Sequence, residues 1–290
     1  MVAKSQAKWT ADARVALRAG SGFSLGAVDP RSTPGYEGTK TDGVADLAAG
    51  LAQLSEYQER LYAASRGGSA RDAVLLVLQG MDSAGKGGIV RHVVGGVDPQ
   101  GVEPVAFKAP TARERAHDFL WRIERRLPGP GMIGVFDRSH YEDVLIGRVR
   151  ELAPAEEIER RYDAIVDLER RLVASGTRVV KVMLHLSYEE QGARLLQRLE
   201  RRDKHWKYSP GDVDERGLWP RYQEAYEAAI ARTSTGEAPW YVVPADRKWY
   251  ARLAVQALLL ETLEDIDPRW PDATFDVATE KARLRATFRS

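Results

Sequence analysis

One stretch of the chain, residues 73–88, constrains the fold more than any other. Residues 73–79 read AVLLVLQ, and residues 80–88 continue as GMDSAGKGG. A short continuous apolar run is typical of a strand that is covered on both faces, as the strands of parallel sheets are. The four glycines that follow cost backbone entropy, which an ordinary strand-to-helix turn does not require. The stretch therefore predicts a buried strand followed by a loop whose backbone has a function beyond turning the chain.

The glycine-rich loop fits most of the Walker A pattern G-x-x-x-x-G-K-[ST]. In that pattern backbone N–H groups cradle phosphates, the lysine reaches them, and the final hydroxyl ligates Mg²⁺. Gly80, Gly85 and Lys86 fit, and the loop stands between a strand and a short helix, but Gly87 replaces the hydroxyl. The alternative is a plain turn with a solvated lysine. We predict a phosphate-binding loop that comprises Lys86 together with Gly80, Met81, Ser83, Ala84, Gly85, Gly87 and Gly88.

The missing hydroxyl requires another metal ligand. Asp82 lies inside the loop, and Asp137 follows the apolar strand 132–136, where a Walker B aspartate holds the metal in phosphate-binding folds. The carboxyl ends of parallel strands face one crevice, and Mg²⁺ prefers one or two carboxylates plus waters and substrate phosphates. We predict that Asp82 and Asp137 bind Mg²⁺, or alternatively Mn²⁺. The competing interpretation makes Asp82 a turn residue and Asp137 a helix N-cap.

A cation and two acidic residues follow the second aspartate. Phosphoryl transfer spreads negative charge over the transferring group, so it needs cations in place more than a general base. Arg138, directly after Asp137, fits that role, although an ordinary salt bridge with a neighbouring carboxylate is the alternative. Glu142 and Asp143 either orient the acceptor or a second metal, or form an ordinary acidic first helical turn.

The rest of the chain alternates between strand and helix patterns. This alternation predicts an α/β fold, a three-layer αβα sandwich around a parallel five-stranded sheet. We expect residues 1–40 to form an N-terminal arm and residues 41–290 a single domain. Besides 73–79, the predicted strands are 102–107, 132–136, 178–186 and 240–243.

Residues 188–235 interrupt the alternation and are named the lid segment here. An insertion of this length in an α/β crossover is usually functional, commonly a lid that closes over substrate. Its middle is rich in cations, which would lie over phosphates if the segment closes and would otherwise form a solvated face. These cations are Arg194, Arg198, Arg201, Arg202, Lys204 and Lys207.

The composition excludes several classes of protein. The chain has 43 basic and 42 acidic residues, so any polyanion must meet a local basic cluster, and bulk nucleic-acid binding is not expected. The absence of cysteine excludes disulfides and thiol catalysis and agrees with a reducing compartment. The longest apolar run, at 73–78, is too short for a membrane span, and no signal pattern begins the chain. We therefore expect a cytoplasmic protein without membrane partners.

Five collinear segments resemble the family-2 polyphosphate kinases and together cover most of the chain. The resemblance implies a P-loop kinase fold with a helical lid and a homo-oligomer, dimeric or tetrameric. It also implies Mg²⁺-dependent transfer of phosphate between inorganic polyphosphate and nucleotides. The segments are GMDSAGKGGIVRHV from residue 80, FKAPT at 107–111, FDRSHYEDV at 136–144, KHWKYSPGD at 204–212 and STGEAPWYVVPADRKWYAR at 234–252.

The resemblance also implies residue roles. Asp82 and Asp137 match the family's acidic metal residues, and Arg194 and Arg198 match its lid arginines. The catalytic set is Asp82, Lys86, Asp137, Arg138 and Arg198. We predict that substrate is bound by Arg194, Lys204 and Lys207, which match the family's lid residues, and also by Lys108, Glu142 and Arg148.

Two departures from the family pattern limit what the resemblance implies, the first for the local geometry of the lid and the second for the acceptor. Glu200, Arg201 and Arg202 stand where many relatives have Asp-Asp-Pro, and Asp137 is combined with Glu142, a mixture of two subgroup patterns. The acceptor therefore remains open between nucleoside monophosphates, diphosphates and both. Two alternatives also remain: an ATP-dependent nucleoside or small-metabolite kinase, and a nucleotide-binding regulatory protein without transfer activity. The choice of phosphate donor separates the first alternative from the polyphosphate hypothesis.

Overall fold

The computed structural model describes residues 8–68 and 70–288, and its centre is a parallel sheet. Within these ranges the sheet has five strands in the order β2-β3-β1-β4-β5, and every neighbouring pair is parallel. The predicted α/β class and five-stranded sheet are therefore confirmed. The strands are β1 Ala73–Gln79, β2 Val102–Ala106, β3 Ile133–Asp137, β4 Thr177–His185 and β5 Trp240–Pro244.

Helices cover both faces of the sheet, which gives the predicted three layers. Alternate residues of β1 enter two separate apolar clusters. Leu76 and Leu78 pack with α2, α3 and α11, whereas Leu75 and Val77 pack with α7 and α10. The helices are α1 Ala13–Leu17, α2 Lys40–Arg66, α3 Lys86–His92, α4 Ala112–Arg115, α5 Trp121–Glu124, α6 Ile146–Val149, α7 Ala155–Ala174, α8 Tyr188–Glu200, α9 Gly211–Arg216, α10 Trp219–Thr233, α11 Lys248–Ile266 and α12 Val277–Arg285.

The described part of the N-terminal arm lies against β5 and α11. The Ala13 amide in α1 donates to the Glu261 carboxylate of α11 over 2.6 Å, and the Asp246 amide donates to the Pro30 carbonyl over 3.1 Å. Two aromatic rings of the arm, those of Trp9 and Tyr36, also pack edge to face with their centroids 5.4 Å apart. Residues 1–7 of the predicted arm lie outside the described residues. The division of the chain at residue 40 stays a prediction.

The lid segment consists of α8, α9 and α10 with a 3₁₀ turn at Arg202–Lys207. Helix α10 belongs to the core, because Tyr226 and Ile230 pack with the helices on that face of the sheet. The part between α8 and α10 is more exposed, and Trp206 within it is 78% exposed. That the segment closes over substrate stays a prediction. In the described ranges no helix is both long and apolar enough to cross a membrane.

A buried ion pair joins the sheet to α7. Lys181 in the middle of β4 is fully buried, and its Nζ donates to Glu169 Oε2 over 2.6 Å and to the Thr233 carbonyl over 2.7 Å. The Tyr141 hydroxyl donates to Glu169 Oε1 over 2.7 Å. Although burial opposes it, the Lys181 ammonium holds the pKa of the Glu169 carboxyl below its usual value. A buried charge is tolerated only with such partners.

Candidate active site

The glycine-rich loop joins β1 to α3 through backbone angles that favour glycine. Gly80 has φ of +151° and Gly85 has φ of +118°. A Cβ atom at Gly80 would lie 2.9 Å from the Leu184 carbonyl oxygen. Within the described residues the amides of Gly85, Lys86 and Gly87 donate to no protein acceptor. Free amides at the start of a helix after such a loop are suited to phosphate oxygens.

We expect Gly80→Ala to lower the free energy of unfolding by about 1–3 kcal/mol, because the side chain forces a strained backbone angle against β4. Urea denaturation measures this change. Gly87→Ala is the matched control in the same loop, because a Cβ there meets no atom within 4 Å. Alanine also suits a helix better than glycine does, so the control should be unchanged or more stable. Equal stability of the two variants would contradict the steric explanation.

Lys86 begins α3 and is buried at the bottom of the loop. Its Nζ donates to the Gly80 carbonyl oxygen over 2.6 Å. Burial and the nearby Arg138 guanidinium lower the pKa of Lys86, while the Asp82 and Asp137 carboxylates oppose that shift. The two predicted cations and the two predicted carboxylates thus lie close enough to influence one another.

Arg138 connects the loop to the turn after β3. Its Nη2 donates to Asp82 Oδ1 over 2.8 Å, and its Nη1 donates to Glu142 Oε2 over 3.0 Å. Burial disfavours the charged guanidinium and by itself lowers the pKa of Arg138. The neighbouring Glu142 and Asp82 carboxylates have the larger combined effect and raise that pKa above its usual value. The backbone of Arg138 has φ of +66°, a left-handed conformation that is uncommon for arginine. The salt bridge considered as an alternative is present, and it holds the guanidinium beside the loop.

The carboxylates at this edge of the sheet fit a divalent cation. Asp137 ends β3 and borders the cavity, and its carboxylate has no hydrogen bond or ion pair with any described residue. Asp82 uses only Oδ1 for Arg138. No cluster of three or more His, Cys, Asp or Glu side chains suited to a metal occurs in the described residues. Two carboxylates leave the remaining positions of a hard cation to water and phosphate oxygens, which is the usual arrangement for Mg²⁺.

The loop, the end of β3 and the lid segment surround one cavity of about 630 Å³. Three aspartates line it, namely Asp82, Asp137 and Asp212. Ten lysine and arginine side chains of the described residues also line it, although the whole chain has a net charge of only +1. This local excess of cations suits a highly charged anion. The ten are Lys86, Arg91, Arg138, Arg194, Arg198, Arg201, Lys204, Lys207, Lys248 and Arg252.

Five of the six predicted cations of the lid segment border this cavity, whereas Arg202 is exposed and does not. Arg198 Nη1 donates to the Lys207 carbonyl over 3.0 Å and lies 3.3 Å from Asp212 Oδ2. Lys204 forms an ion pair of 3.0 Å with Asp203, and the Lys207 ammonium lies 4.8 Å from the centre of the Trp206 ring. These contacts hold the side chains near the cavity, and their roles in substrate binding stay predictions.

Arg194 borders the same cavity, but its donors are already used. It is 5% exposed and ties the loop to the segment after β5. Glu190 Oε1 accepts from its Nε over 2.7 Å. The geometry shows that Arg194 positions the loop, and direct substrate contact stays a prediction. Its other acceptors, at 2.6–3.1 Å, are the carbonyls of Ser83, Ala84, Ala245 and Asp246.

Two predicted substrate residues lie away from the cavity. Lys108 is exposed after β2, and its carbonyl accepts from Arg122 over 2.7 Å. Arg148 is exposed on α6, 3.9 Å from the Glu159 carboxylate of α7. The structure does not bring either side chain to the other site residues, so their roles in substrate binding stay predictions without support from this geometry.

Four basic residues of the cavity were absent from the sequence predictions. Arg91 and His92 lie at the end of α3, and Lys248 and Arg252 lie in the first turns of α11. The sequence does carry a signal for them. Lys248 and Arg252 are four residues apart directly after a predicted strand, where one helical face points to the carboxyl edge of the sheet.

A glycine-rich loop after β1, an aspartate at the end of β3 and a basic cleft above the sheet define a phosphotransferase of the P-loop kinase type. The family is shown by sequence comparison. The family model described as Polyphosphate kinase 2 (PPK2) matches residues 39–271, and the chain belongs to this family.

Two named relatives and a solved structure agree with this assignment. The chain is 44% identical to the "AMP/ADP-polyphosphate phosphotransferase" of Meiothermus ruber, over 89% of this chain and 94% of that protein. It is 45% identical to the "ADP-polyphosphate phosphotransferase" of Rhodopseudomonas palustris, over 79% and 81%. The crystal structure of Polyphosphate Kinase 2 from Arthrobacter aurescens TC1 is 57% identical, with a TM-score of 0.94 over 97% of this chain and 98% of that one. Membership of a polyphosphate kinase family implies a divalent metal requirement in general.

Proposed function

We propose that this protein transfers phosphate between inorganic polyphosphate and nucleoside mono- or diphosphates. The observation that carries the proposal is the cavity lined by ten lysine and arginine side chains together with Asp137, whose carboxylate has no partner among the described residues. A phosphoryl-transfer site needs cations for the charge of the transferring group and a carboxylate for its metal. The names of the relatives supply the donor and acceptor classes.

The proposed metal is Mg²⁺, with Mn²⁺ as an alternative, held by Asp82 and Asp137. When bound, the ion supplies positive charge next to phosphate oxygens, and the rest of the work falls to the protein. The loop amides bind the phosphates, and Lys86 neutralises their charge from the buried side. Glu142 orients Arg138 through the 3.0 Å hydrogen bond. Preorganised donors of this kind stabilise charge that develops in the transition state.

The lid segment supplies the remaining cations in this proposal. Arg198, Lys204 and Lys207 border the cavity. If the segment closes, these side chains approach the donor chain and exclude water, which strengthens every electrostatic contact in the site. Arg194 keeps the loop in position during closure through its carbonyl contacts.

We propose that both nucleoside monophosphates and nucleoside diphosphates serve as phosphate acceptors. The Meiothermus ruber relative is named for AMP and ADP, whereas the Rhodopseudomonas palustris relative is named for ADP alone. This chain is 44% and 45% identical to them, so overall similarity does not separate the two acceptor ranges. The combination of Asp137 and Glu142 in one site mixes two subgroup patterns. It is therefore compatible with both acceptor levels.

A donor swap tests the proposed function. Purified protein with Mg²⁺ is incubated with AMP, ADP, GMP or GDP, each with polyphosphate or with ATP, and the products are separated by chromatography. We expect phosphorylated product with polyphosphate, and the AMP and ADP reactions give the acceptor level. Product with ATP alone would instead favour the ordinary kinase. Tight nucleotide binding without product from either donor would favour the regulatory protein.

We also propose that the protein works in the cytoplasm as a homo-oligomer, a dimer or a tetramer, without nucleic-acid or membrane partners. The near-neutral net charge of +1 and the absence of cysteine support this setting. Light scattering of the purified chain measures its mass. The same measurement after deletion of residues 1–40 tells whether the arm joins subunits.

A further inference from the structure

Gln79, the last residue of β1, is a fully buried polar side chain directly before the glycine-rich loop. Its side-chain amide lies between Ser139 and Glu142 in the turn after β3. The amide oxygen faces two donors, the backbone N–H and the hydroxyl of Ser139, each over 3.1 Å, and the amide nitrogen faces Glu142 Oε1 over 2.9 Å. Gln79 therefore donates a hydrogen bond to the Glu142 carboxylate.

The groups around the amide fix this orientation. Ser139 Oγ accepts from the Tyr141 amide over 3.1 Å, so its hydroxyl hydrogen is free to donate to the Gln79 oxygen. With the amide turned the other way, its oxygen would face the carboxylate oxygen of Glu142 and its NH₂ group would face the N–H of Ser139. Buried polar groups are paired donor to acceptor, so the first orientation is the one that the surroundings require.

The Glu142 carboxylate is shared between Gln79 and Arg138. Its Oε1 accepts from Gln79, and its Oε2 accepts from Arg138 Nη1 over 3.0 Å. Burial lowers the pKa of Arg138, and of the two carboxylates that raise it Glu142 has a larger effect than Asp82. Glu142 is also the more buried of the two, with 16% of its side chain exposed against 25% for Asp82. Glu142 is therefore the main anchor of the Arg138 guanidinium.

The second anchor of Arg138 has another task. Asp82 Oδ1 accepts from Arg138 Nη2 over 2.8 Å, but Asp82 is also one of the two carboxylates that we propose hold the metal. Its position therefore depends on what is bound, whereas Gln79 and Glu142 hold each other within the protein. An amide suits this place, because it donates a hydrogen bond without adding charge, so Glu142 keeps its negative charge for Arg138. A lysine here would neutralise the carboxylate, and a second carboxylate would repel it.

We propose that Gln79 is a positioning residue for phosphate transfer: it holds Glu142, and Glu142 holds the Arg138 guanidinium towards the transferring phosphate. This inference rests on the proposed function, in which Arg138 stabilises the charge of the transferring group. Because that charge develops in the transition state, loss of the contact should lower kcat and leave the KM values of the substrates almost unchanged.

Kinetics of Gln79→Met test the inference, because methionine is similar in size but cannot donate to Glu142. With ADP, Mg²⁺ and long-chain polyphosphate, we expect kcat to fall about tenfold or more, since a hydrogen bond to a charged group is worth about a factor of ten. The KM values of ADP and of polyphosphate should each change less than about twofold.

Gln256→Met is the matched control. Gln256 is also a buried glutamine, its amide donates to the Leu47 carbonyl over 2.9 Å, and it does not line the cavity. Both variants lose one buried hydrogen bond, so both should melt at a similarly lowered temperature, but only Gln79→Met should lose kcat. This comparison separates positioning of Arg138 from a general loss of stability.

An exchange of the two side chains gives a second test. In Gln79→Glu/Glu142→Gln, the amide at position 142 can donate to the carboxylate at position 79 while its oxygen accepts from Arg138. We expect the double variant to have a higher kcat than either single variant, which a purely structural role does not require.

Several outcomes would contradict the inference. Wild-type kcat in a well-folded Gln79→Met protein would overturn it, and so would a raised KM with unchanged kcat, since Gln79 would then serve substrate binding. A double variant no more active than the single variants would overturn it as well. A wild type that transfers no phosphate from polyphosphate would instead refute the proposed function on which the inference rests.

Discussion

Asp137→Asn should lower kcat/KM for phosphate transfer from polyphosphate by at least about a thousandfold, or about 4 kcal/mol of transition-state stabilisation. The substitution keeps the size of the side chain but removes the negative charge that we propose holds the metal. Because the Asp137 carboxylate has no partner among the described residues, its loss should leave the fold unchanged. Steady-state kinetics measure the first effect, and thermal melting checks the second.

Two further measurements make the Asp137 result specific. Calorimetric titration with Mg²⁺ and nucleotide should show weaker metal binding in the variant, which a general loss of activity does not require. Asp272→Asn is the control, because Asp272 is exposed beyond α11 and lies outside the cavity. It should retain wild-type kinetics. Near-normal transfer by a well-folded Asp137→Asn protein would remove this residue from the mechanism.

Lys181→Met should destabilise the protein by about 3–5 kcal/mol, because it leaves the Glu169 carboxylate buried without its charged partner. The Tyr141 hydroxyl still donates to Glu169 but does not neutralise its charge, and the buried His140 Nε2 lies 3.6 Å from Glu169 Oε1. Urea denaturation at neutral pH measures the loss. The effect should diminish at low pH, where Glu169 is protonated in the variant and the buried charge disappears.

A double variant separates the buried charge from packing. Lys181→Met/Glu169→Leu removes both charges and should recover much of the lost stability, since apolar replacements of a whole buried pair are often neutral. Lys40→Met, at the exposed start of α2, should change stability by less than about 0.5 kcal/mol. If the double variant is less stable than Lys181→Met, packing and hydrogen bonds to Thr233 matter more than the unpaired charge.

The elements of the fold were largely predictable from the sequence. The strand predicted at 178–186 is observed at Thr177–His185, and the strand predicted at 240–243 at Trp240–Pro244. An apolar run or a glycine-rich loop consists of a few neighbouring residues. A local sequence pattern is therefore enough to predict the strand or turn that it forms. The order of the strands was not predictable in this way, since it depends on which strands meet after long crossovers.

The candidate site was predictable in part. Asp82, Lys86, Asp137 and Arg138 follow strands or lie in the loop between β1 and α3, so the rule for parallel sheets places them together. Lys108 follows a strand as well, yet its side chain is exposed away from the cavity. Proximity to a strand end predicts the edge of the sheet but not the direction of a side chain.

Other roles appeared only when the chain was folded. Arg194 has the sequence signature of a cationic lid residue, but four carbonyls and a carboxylate use its donors. In the sequence Lys181 is a single charged residue within an apolar strand. Its neighbours in the chain do not indicate that Glu169 is its partner. Arg91 of α3 and Arg252 of α11 border the same cavity, although they are about 160 residues apart in the chain.

The sequence by itself determined the parallel sheet, the glycine-rich loop and the class of chemistry, because each of these depends on residues that are neighbours in the chain. The tertiary structure alone decided which charges are paired and which remain free. Pairing depends on distances between side chains from different helices and strands, and the energy of a charge depends on its burial. Arg194 and Arg252 both border the cavity, but only the first is surrounded by acceptors.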